Sequence, residues 1–288
     1  MTNLKLIDKL DGDFIFIRAI DSNSNSVFVV DTGECKVHKI NIDQTTKSVG
    51  RKGGGPGEFN KLANIGVNDD FVAVLDMFGQ VTCYDGQLNF INTFKIGYSS
   101  IFLAVDSKNN IYIPRFDRYD EILINKFNSN GILLNTLIVK KEEDEPMIWS
   151  PFNLKVDQEG FIITASMFNN LIKIYDESGK QVISFHEPKL PELSIDKFTV
   201  KPTQFYFRDV FLIEGMNHEK LIGVLLGDIL ESNKNREIFI YSYTGKRVWH
   251  GLLPEESRWV TSIGQKVLLA TDEEKTACFK YEFMDGIK

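Results

Sequence analysis

AIDSNSNSVFVV (Ala19–Val30), GVNDDFVAV (Gly66–Val74), AVDSKNNIYI (Ala104–Ile113) and KVDQEGFII (Lys155–Ile163) are versions of one pattern: an apolar strand end, a short polar turn and a second apolar strand. Asp21, Asn68, Asp106 and Asp157 mark the turns, because short Asx side chains bond their own backbone and tolerate hairpin geometry. Weaker copies are EGMNHEKLIGV (Glu214–Val224), turning at Asn217, and SIGQKVLLA (Ser262–Ala270), turning at Gly264. The hairpins recur about every 48 residues, a spacing that suits propeller blades and exceeds that of helical repeats.

A further strand follows each hairpin: ECKVHKI ending at Ile40, QVTCYDG at Tyr84, EILINKFNSNG at Phe127, LIKIYDESG at Tyr175, EIFIYSYTG at Tyr243 and TACFKYEF around Tyr281. Beyond the next turn comes an outer strand: NFINTFKI, ILLNTLIV, KQVISF and KRVWHGLL, with a degraded copy at Lys47–Val49. The last repeat stops before its outer strand. LKLIDKL, Leu4–Leu10, has the right length and alternation and precedes the first hairpin with nothing else to pair with. Joined to the last repeat it closes the ring and ties down a terminus that would otherwise fray. The expectation is therefore an all-β, six-bladed β-propeller of four-stranded antiparallel blades over residues 1–288, a single domain. Its ring is closed by the N-terminal strand, and blade five is enlarged by insertions.

Helical readings fail on period, since no long segment holds an i, i+3, i+4, i+7 apolar pattern free of turn residues. Residues 188–204, with Pro191 and Pro202, read as a blade connection with room for one helical turn, and Lys140–Trp149 as a solvated charged connection. The 22 Phe and 9 Tyr suit pleated, half-buried surfaces. A net charge of −7 with dispersed Lys and Arg argues against nucleic acid, whose phosphates demand a basic stripe. Cys35, Cys83 and Cys278 stand far apart and read as buried thiols, not as a disulfide or zinc framework. No apolar run reaches the length of a transmembrane segment, and Met1-Thr2-Asn3 leads directly into a strand with no signal-peptide pattern.

RKGGGPGEF, Arg51–Phe59, is the sharpest motif. Glycine-rich loops can cradle phosphate with bare amides, but the helix that a phosphate loop opens is missing here. The remaining reading is a blade connection in which glycines permit positive φ and Pro56 stiffens the turn. This G-x-G-P-G-E-F pattern is followed by an apolar strand, an Asx turn and the strand end Val74-Leu75-Asp76. Together they resemble the NHL-repeat and TolB-like six-bladed propellers, in particular a Bacteroidetes group rich in lipoproteins. The resemblance implies the fold and a cell-envelope location. It is sharp only in blades one and two, since Arg115 and Ser166 stand where those blades carry Asp31 and Asp76.

In a propeller, the loops between second and third strands and those between blades gather around one mouth of the central channel. Here the first kind supplies Asp31, Glu34, Asp76 and Phe78, then Arg115, Phe116, Arg118 and Tyr119, then Met167, Phe168 and Asn169, and later Asp228 and Asp272. Connections between blades add Arg51, Tyr98, Trp149, Arg208 and Trp259. Arginine and aromatic side chains dominate binding energy at interfaces. RFDRYD, Arg115–Asp120, has the chemistry to clamp a carboxylate or a sugar, and is equally able to pair with itself.

The leading expectation is a non-catalytic monomer that binds an unknown protein, peptide or glycan without a cofactor. The alternative is a metal-dependent hydrolase or lyase, lactonase-like or amidating-lyase-like, with Asp31, Asp76, Asn169 and Asp228 as ligands for an axial calcium or zinc. No G-x-S-x-G elbow occurs, and His38, His186, His218 and His250 fall on unrelated elements.

Overall fold

A computed structural model describes residues 2–116, 121–140, 151–191, 204–215, 218–230, 233–284 and 287. Strand β1, Thr2–Lys9, comes first. Blade one then holds β2 (Ile17–Ser22), β3 (Ser26–Asp31), β4 (Lys36–Asn41) and β5 (Thr46–Val49), and blade two β6 (Leu62–Val67), β7 (Phe71–Asp76), β8 (Gln80–Asp85) and β9 (Phe90–Lys95). Blade three consists of β10 (Ala104–Val105), β11 (Ile111–Arg115), β12 (Glu121–Phe127) and β13 (Leu133–Lys140). Blade four consists of β14 (Phe152–Val156), β15 (Ile162–Ser166), β16 (Ile172–Tyr175) and β17 (Gln181–Phe185). Blade five is β18 (Phe207–Glu214), β19 (Lys220–Leu226), β20 (Glu237–Ser242) and β21 (Arg247–Leu252); blade six has β22 (Val260–Ile263), β23 (Val267–Thr271) and β24 (Cys278–Phe283).

The first strand completes blade six. β1 runs antiparallel to β24, from Leu4 opposite Phe283 to Lys9 opposite Phe279. Its first residues also pair in parallel with β21 of blade five, Thr2 opposite Gly251 and Asn3 opposite Leu252, so blades five and six form one continuous sheet. That second pairing has no counterpart in the repeat pattern.

The turns form for local reasons. The Asn68 carboxamide oxygen accepts from the amides of Asp70 and Phe71 at 2.9 and 2.8 Å. The carboxylates of Asp106 and Asp157 cap their turns in the same way. In blade one the cap is Asn23, not Asp21: its side chain takes the amides of Asn25 and Ser26. Asp21 lies two residues earlier, inside β2, and has another role. Gly264 turns in the left-handed region at φ 57°, as a hairpin there requires; Asn217 lies outside the described residues.

The molecule has no single core. Buried apolar side chains form six clusters, one at each seam between neighbouring blades. Leu4 belongs to the seam of blades five and six, beside Trp249 and Phe283. Leu10 seals blade six against blade one with Phe14, Ile17 and Cys278. All three cysteines are free and buried. Among the described residues there is no α-helix, and no helix is long and apolar enough to cross a membrane.

Candidate functional site

The innermost strands of blades one and five share an irregularity that shapes the loop face. The register of β2 against β3 shifts between Ile17 and Ala19, and that of β18 against β19 between Phe207 and Asp209. The extra residue is Arg18 in one and Arg208 in the other, and bulges of this kind re-aim a side chain at a sheet end. Both arginines are half-buried. The Arg18 guanidinium lies 5.6 Å from the Trp259 ring centroid and that of Arg208 lies 5.1 Å from Phe205. A third pair, Arg115 over Tyr98 at 5.4 Å, belongs to blade three. A guanidinium on an aromatic face gains electrostatic attraction to the ring.

The expected residues fall into separate sectors of this face. Around blades four and five, Phe168 stacks on Phe205 at 5.4 Å, Asp228 accepts from the Phe205 amide at 2.5 Å, and Arg208 covers the same ring. The Nδ2 of Asn169 and the Nε of Arg208 are buried there without a hydrogen-bond partner. Around blades two and three, Phe78 is 67 % exposed at the tip of its loop, while Phe116 packs inward between Phe102 and Phe152. Arg118, Tyr119 and Trp149 lie outside the described residues.

Around blades six and one the sequence names Trp259, Asp272, Asp31 and Glu34. The structure adds Arg258, which pairs with Glu273, and Lys275, whose ammonium sits 4.4 Å from the Phe16 ring centroid. The detectable signal was the repeated aromatic-or-aliphatic–Arg pair that opens an inner strand, Ile17-Arg18 and Phe207-Arg208.

An ion pair crosses the channel. Lys155, on β14 of blade four, reaches across to Asp21 on β2 of blade one, the blade opposite, and donates to its carboxylate at 2.6 Å. The other Asp21 oxygen accepts from the Val67 amide of blade two at 3.0 Å. Asp209 of blade five lies near this pair and accepts from the Val260 amide of blade six at 2.9 Å. Burial pushes the Asp209 carboxyl up to about 7, with Lys155 opposing and Asp21 adding to the rise. One ammonium between two buried carboxyls leaves little room for a second full negative charge.

The glycine-rich loop is occupied by its own chain. The Glu58 carboxylate accepts from the Gly55 amide at 2.9 Å and from the Arg51 guanidinium at 2.8 Å, and these bonds hold its pKa below the usual carboxylate range. Arg51 is thereby spent on Glu58. The loop stands as an internal anion mimic in a blade connection, with Gly57 in the left-handed region at φ 71°.

The alternative metal set is distributed. Four backbone amides, those of Ile15, Phe16, Gly33 and Glu34, converge on the Asp31 carboxylate at 2.7 to 3.3 Å. One Asp76 oxygen accepts from Phe78 and Gln80, each within 2.9 Å; the other is buried and unpartnered. Both aspartates thus shape their loops. Among the described residues, the group of three acidic, imidazole or thiol side chains whose ligand atoms all lie within 4.8 Å of one another is Asp31, Glu34 and His38, and Asp76 and Asp228 are not in it. His38 faces Glu34 at 3.7 Å through Nε2, its Nδ1 shares a hydrogen with Ser48, and burial lowers its pKa. The Lys36 ammonium already sits on Glu34 at 3.1 Å.

On the opposite face, a cleft of about 680 Å³ between the hairpins of blades four and five is lined by Phe161, Tyr243 and Lys220. Asp157 and Glu159 hold that lysine at 3.0 and 2.9 Å.

No protein family matches the sequence, and no curated protein does. Solved structures do match in shape. A Bacteroides fragilis NCTC 9343 protein proposed to be exported superposes with a TM-score of 0.62 at 14 % identity, over 98 % of this chain and 94 % of its own. Virginiamycin B lyase from Staphylococcus aureus gives 0.60 at 9 % identity, over 99 % and 100 %. The WD40 repeats of RRP9 give 0.63 at 10 % identity, over 96 % and 97 %. A lyase and WD40 repeats resemble this chain to a like degree, so the likeness establishes the β-propeller fold and leaves function to the site.

Proposed function

We propose that the chain is a non-catalytic binding propeller that holds a protein, peptide or glycan on its loop face. The observation that carries this reading is the set of half-buried arginines laid on aromatic rings around the channel mouth: Arg18 on Trp259, Arg115 on Tyr98 and Arg208 on Phe205. Such pairs present preorganised donors beside apolar surface, the composition of binding hot spots. The Asp21–Lys155 ion pair bars the channel, so a ligand rests on the mouth and does not thread it. The resemblance to envelope propellers and the Bacteroides neighbour proposed to be exported support a cell-envelope setting.

The test is a screen of immobilised glycans and peptides with the full chain and a Phe78→Ala, Arg115→Gln, Arg208→Gln variant. A ligand retained by the wild type and lost by the variant supports the reading. A ligand that both hold equally removes the sectors of blades two, three and five from consideration.

A metal-dependent hydrolase or lyase is the second reading, favoured by the Asp31, Glu34 and His38 cluster. A stoichiometric divalent ion in purified protein, lost in His38→Ala, would establish it. Metal-free protein whose melting temperature ignores added calcium and zinc would remove it.

A further inference from the structure

Blades six and one bring three cations into one neighbourhood, Arg18, Arg258 and Lys275, with one carboxylate, Glu273, in contact with Arg258. Glu273 pairs with Arg258 through one oxygen; its other oxygen is buried and unpartnered. The neighbouring acid, Asp272, is committed to its own turn, accepting from the amides of Thr276 and Ala277 at 2.8 and 3.0 Å. Among the described residues, no carboxylate pairs with Arg18 or Lys275.

The fold gains little from this grouping. Burial disfavours the charged form of Arg18. The Lys275 ammonium is disfavoured by burial first, then by Arg258, and also by Arg18, with Glu273 giving partial relief. Lys275 also sits in the left-handed region at φ 65°, which glycine adopts freely and lysine does not. Its carbonyl accepts from the Ile17 amide at 2.7 Å, fixing the blade-six loop beside the Arg18 bulge. Two more donors lie at this place without acceptors: the Nε of Arg258 and the indole Nε1 of Trp259 are buried and unpartnered. Excess positive charge and unused donors are hard to explain by stability and are what a bound anion would satisfy.

We propose that this sector of the loop face is an oxyanion site in which Arg18, Arg258, Lys275 and the Trp259 indole receive a carboxylate, sulfate or phosphate group. The inference rests on the loop-face reading and narrows it to ligands that carry such a group, whether sugar acid, sulfate ester or phosphate. The Trp259 and Phe16 rings hold Arg18 and Lys275 in place, and Arg258 adds its unpartnered Nε.

The test follows thermal melting of the full chain in sodium sulfate, sodium phosphate and sodium galacturonate, with galactose as neutral control and sodium chloride at matched ionic strength. The wild type should show a saturable rise of several degrees beyond chloride at concentrations well above Kd. The anion effective at the lowest concentration distinguishes the sources. Arg18→Met keeps the stem on Trp259 without the charge, and Lys275→Gly keeps the backbone conformation. Each should match or exceed the wild type in unliganded melting temperature and need at least about tenfold more anion for the same rise.

A wild type that responds to no anion beyond chloride overturns the site, as do variants that respond like the wild type. Failure here and failure of the loop-face reading are separable. In the first case the chain is blind to these anions while a screened ligand still depends on Arg115 and Arg208; in the second, the screened ligand ignores Arg18 as well as Arg115 and Arg208.

Discussion

Replacing Leu4 by alanine tests how the ring is closed. Leu4 is 7 % exposed and packs with Phe211, Trp249 and Phe283, at the seam where blade six, completed by the N-terminal strand, meets blade five. Truncating a buried leucine costs about 3 kcal/mol, the transfer of its methyl groups plus the cavity left behind. Spread over the unfolding entropy of 288 residues, that lowers the melting temperature by about 5 °C. Leu10, 6 % exposed at the opposite seam, should behave alike. The two sites share no cluster, so the double variant should lose about twice as much. Leu6, on the same strand but 52 % exposed beside an irregularity in the pairing with β24, is the internal control. Its alanine variant should stay within about 0.5 kcal/mol of the wild type. Reversible thermal or urea denaturation followed by near-ultraviolet circular dichroism reads the wild type and all four variants. If Leu4→Ala and Leu10→Ala melt like Leu6→Ala, the first strand does not close the ring.

The channel makes two further predictions. Lys155→Met should destabilise by about 3 to 5 kcal/mol because it strands a buried Asp21 carboxylate, whereas Asp21→Asn with Lys155→Met should recover most of that loss, as urea titration would read. The Asp209 carboxyl titrates near 7 in the fold and near its ordinary value unfolded. The folded chain therefore holds a proton that the unfolded chain has released between about pH 4 and 7, and stability falls as pH rises through that window, by about 4 kcal/mol in full. Asp209→Asn should remove this component, so the difference between the two proteins changes sign or narrows across the window; a constant difference would refute it. In the glycine-rich loop, Glu58→Ala should speed hydrogen exchange at the Gly55 amide, and unchanged exchange would show that the carboxylate does not hold the loop.

The strand order was legible because each blade announces itself locally. Asn68, Asp106 and Asp157 bond their own turns, and the leftover strand at Leu4–Leu10 had one vacancy to fill. Asp21 was misread as a turn residue because it stands where later blades carry Asp106 and Asp157. Its partner, Lys155, is 134 residues away, and only the closed ring makes them neighbours. The site was less legible for the same reason. Arg18 and Lys275 lie near opposite ends of the chain and meet at the seam where the ring closes. Arg208 and Phe168 could be named from their loops, but the bulges that turn Arg18 and Arg208 toward the mouth depend on strand register, which composition does not encode.

The most direct test of the loop face as the binding surface is amide hydrogen exchange on the full chain, with and without whichever of sulfate, phosphate or galacturonate raises the melting temperature. Slowed exchange is predicted at residues 15–18, 257–261 and 273–277, around the mouth where blades six and one meet. Slowing confined to the hairpin turns on the opposite face, at residues 23–25, 68–70 and 107–110, would contradict the account.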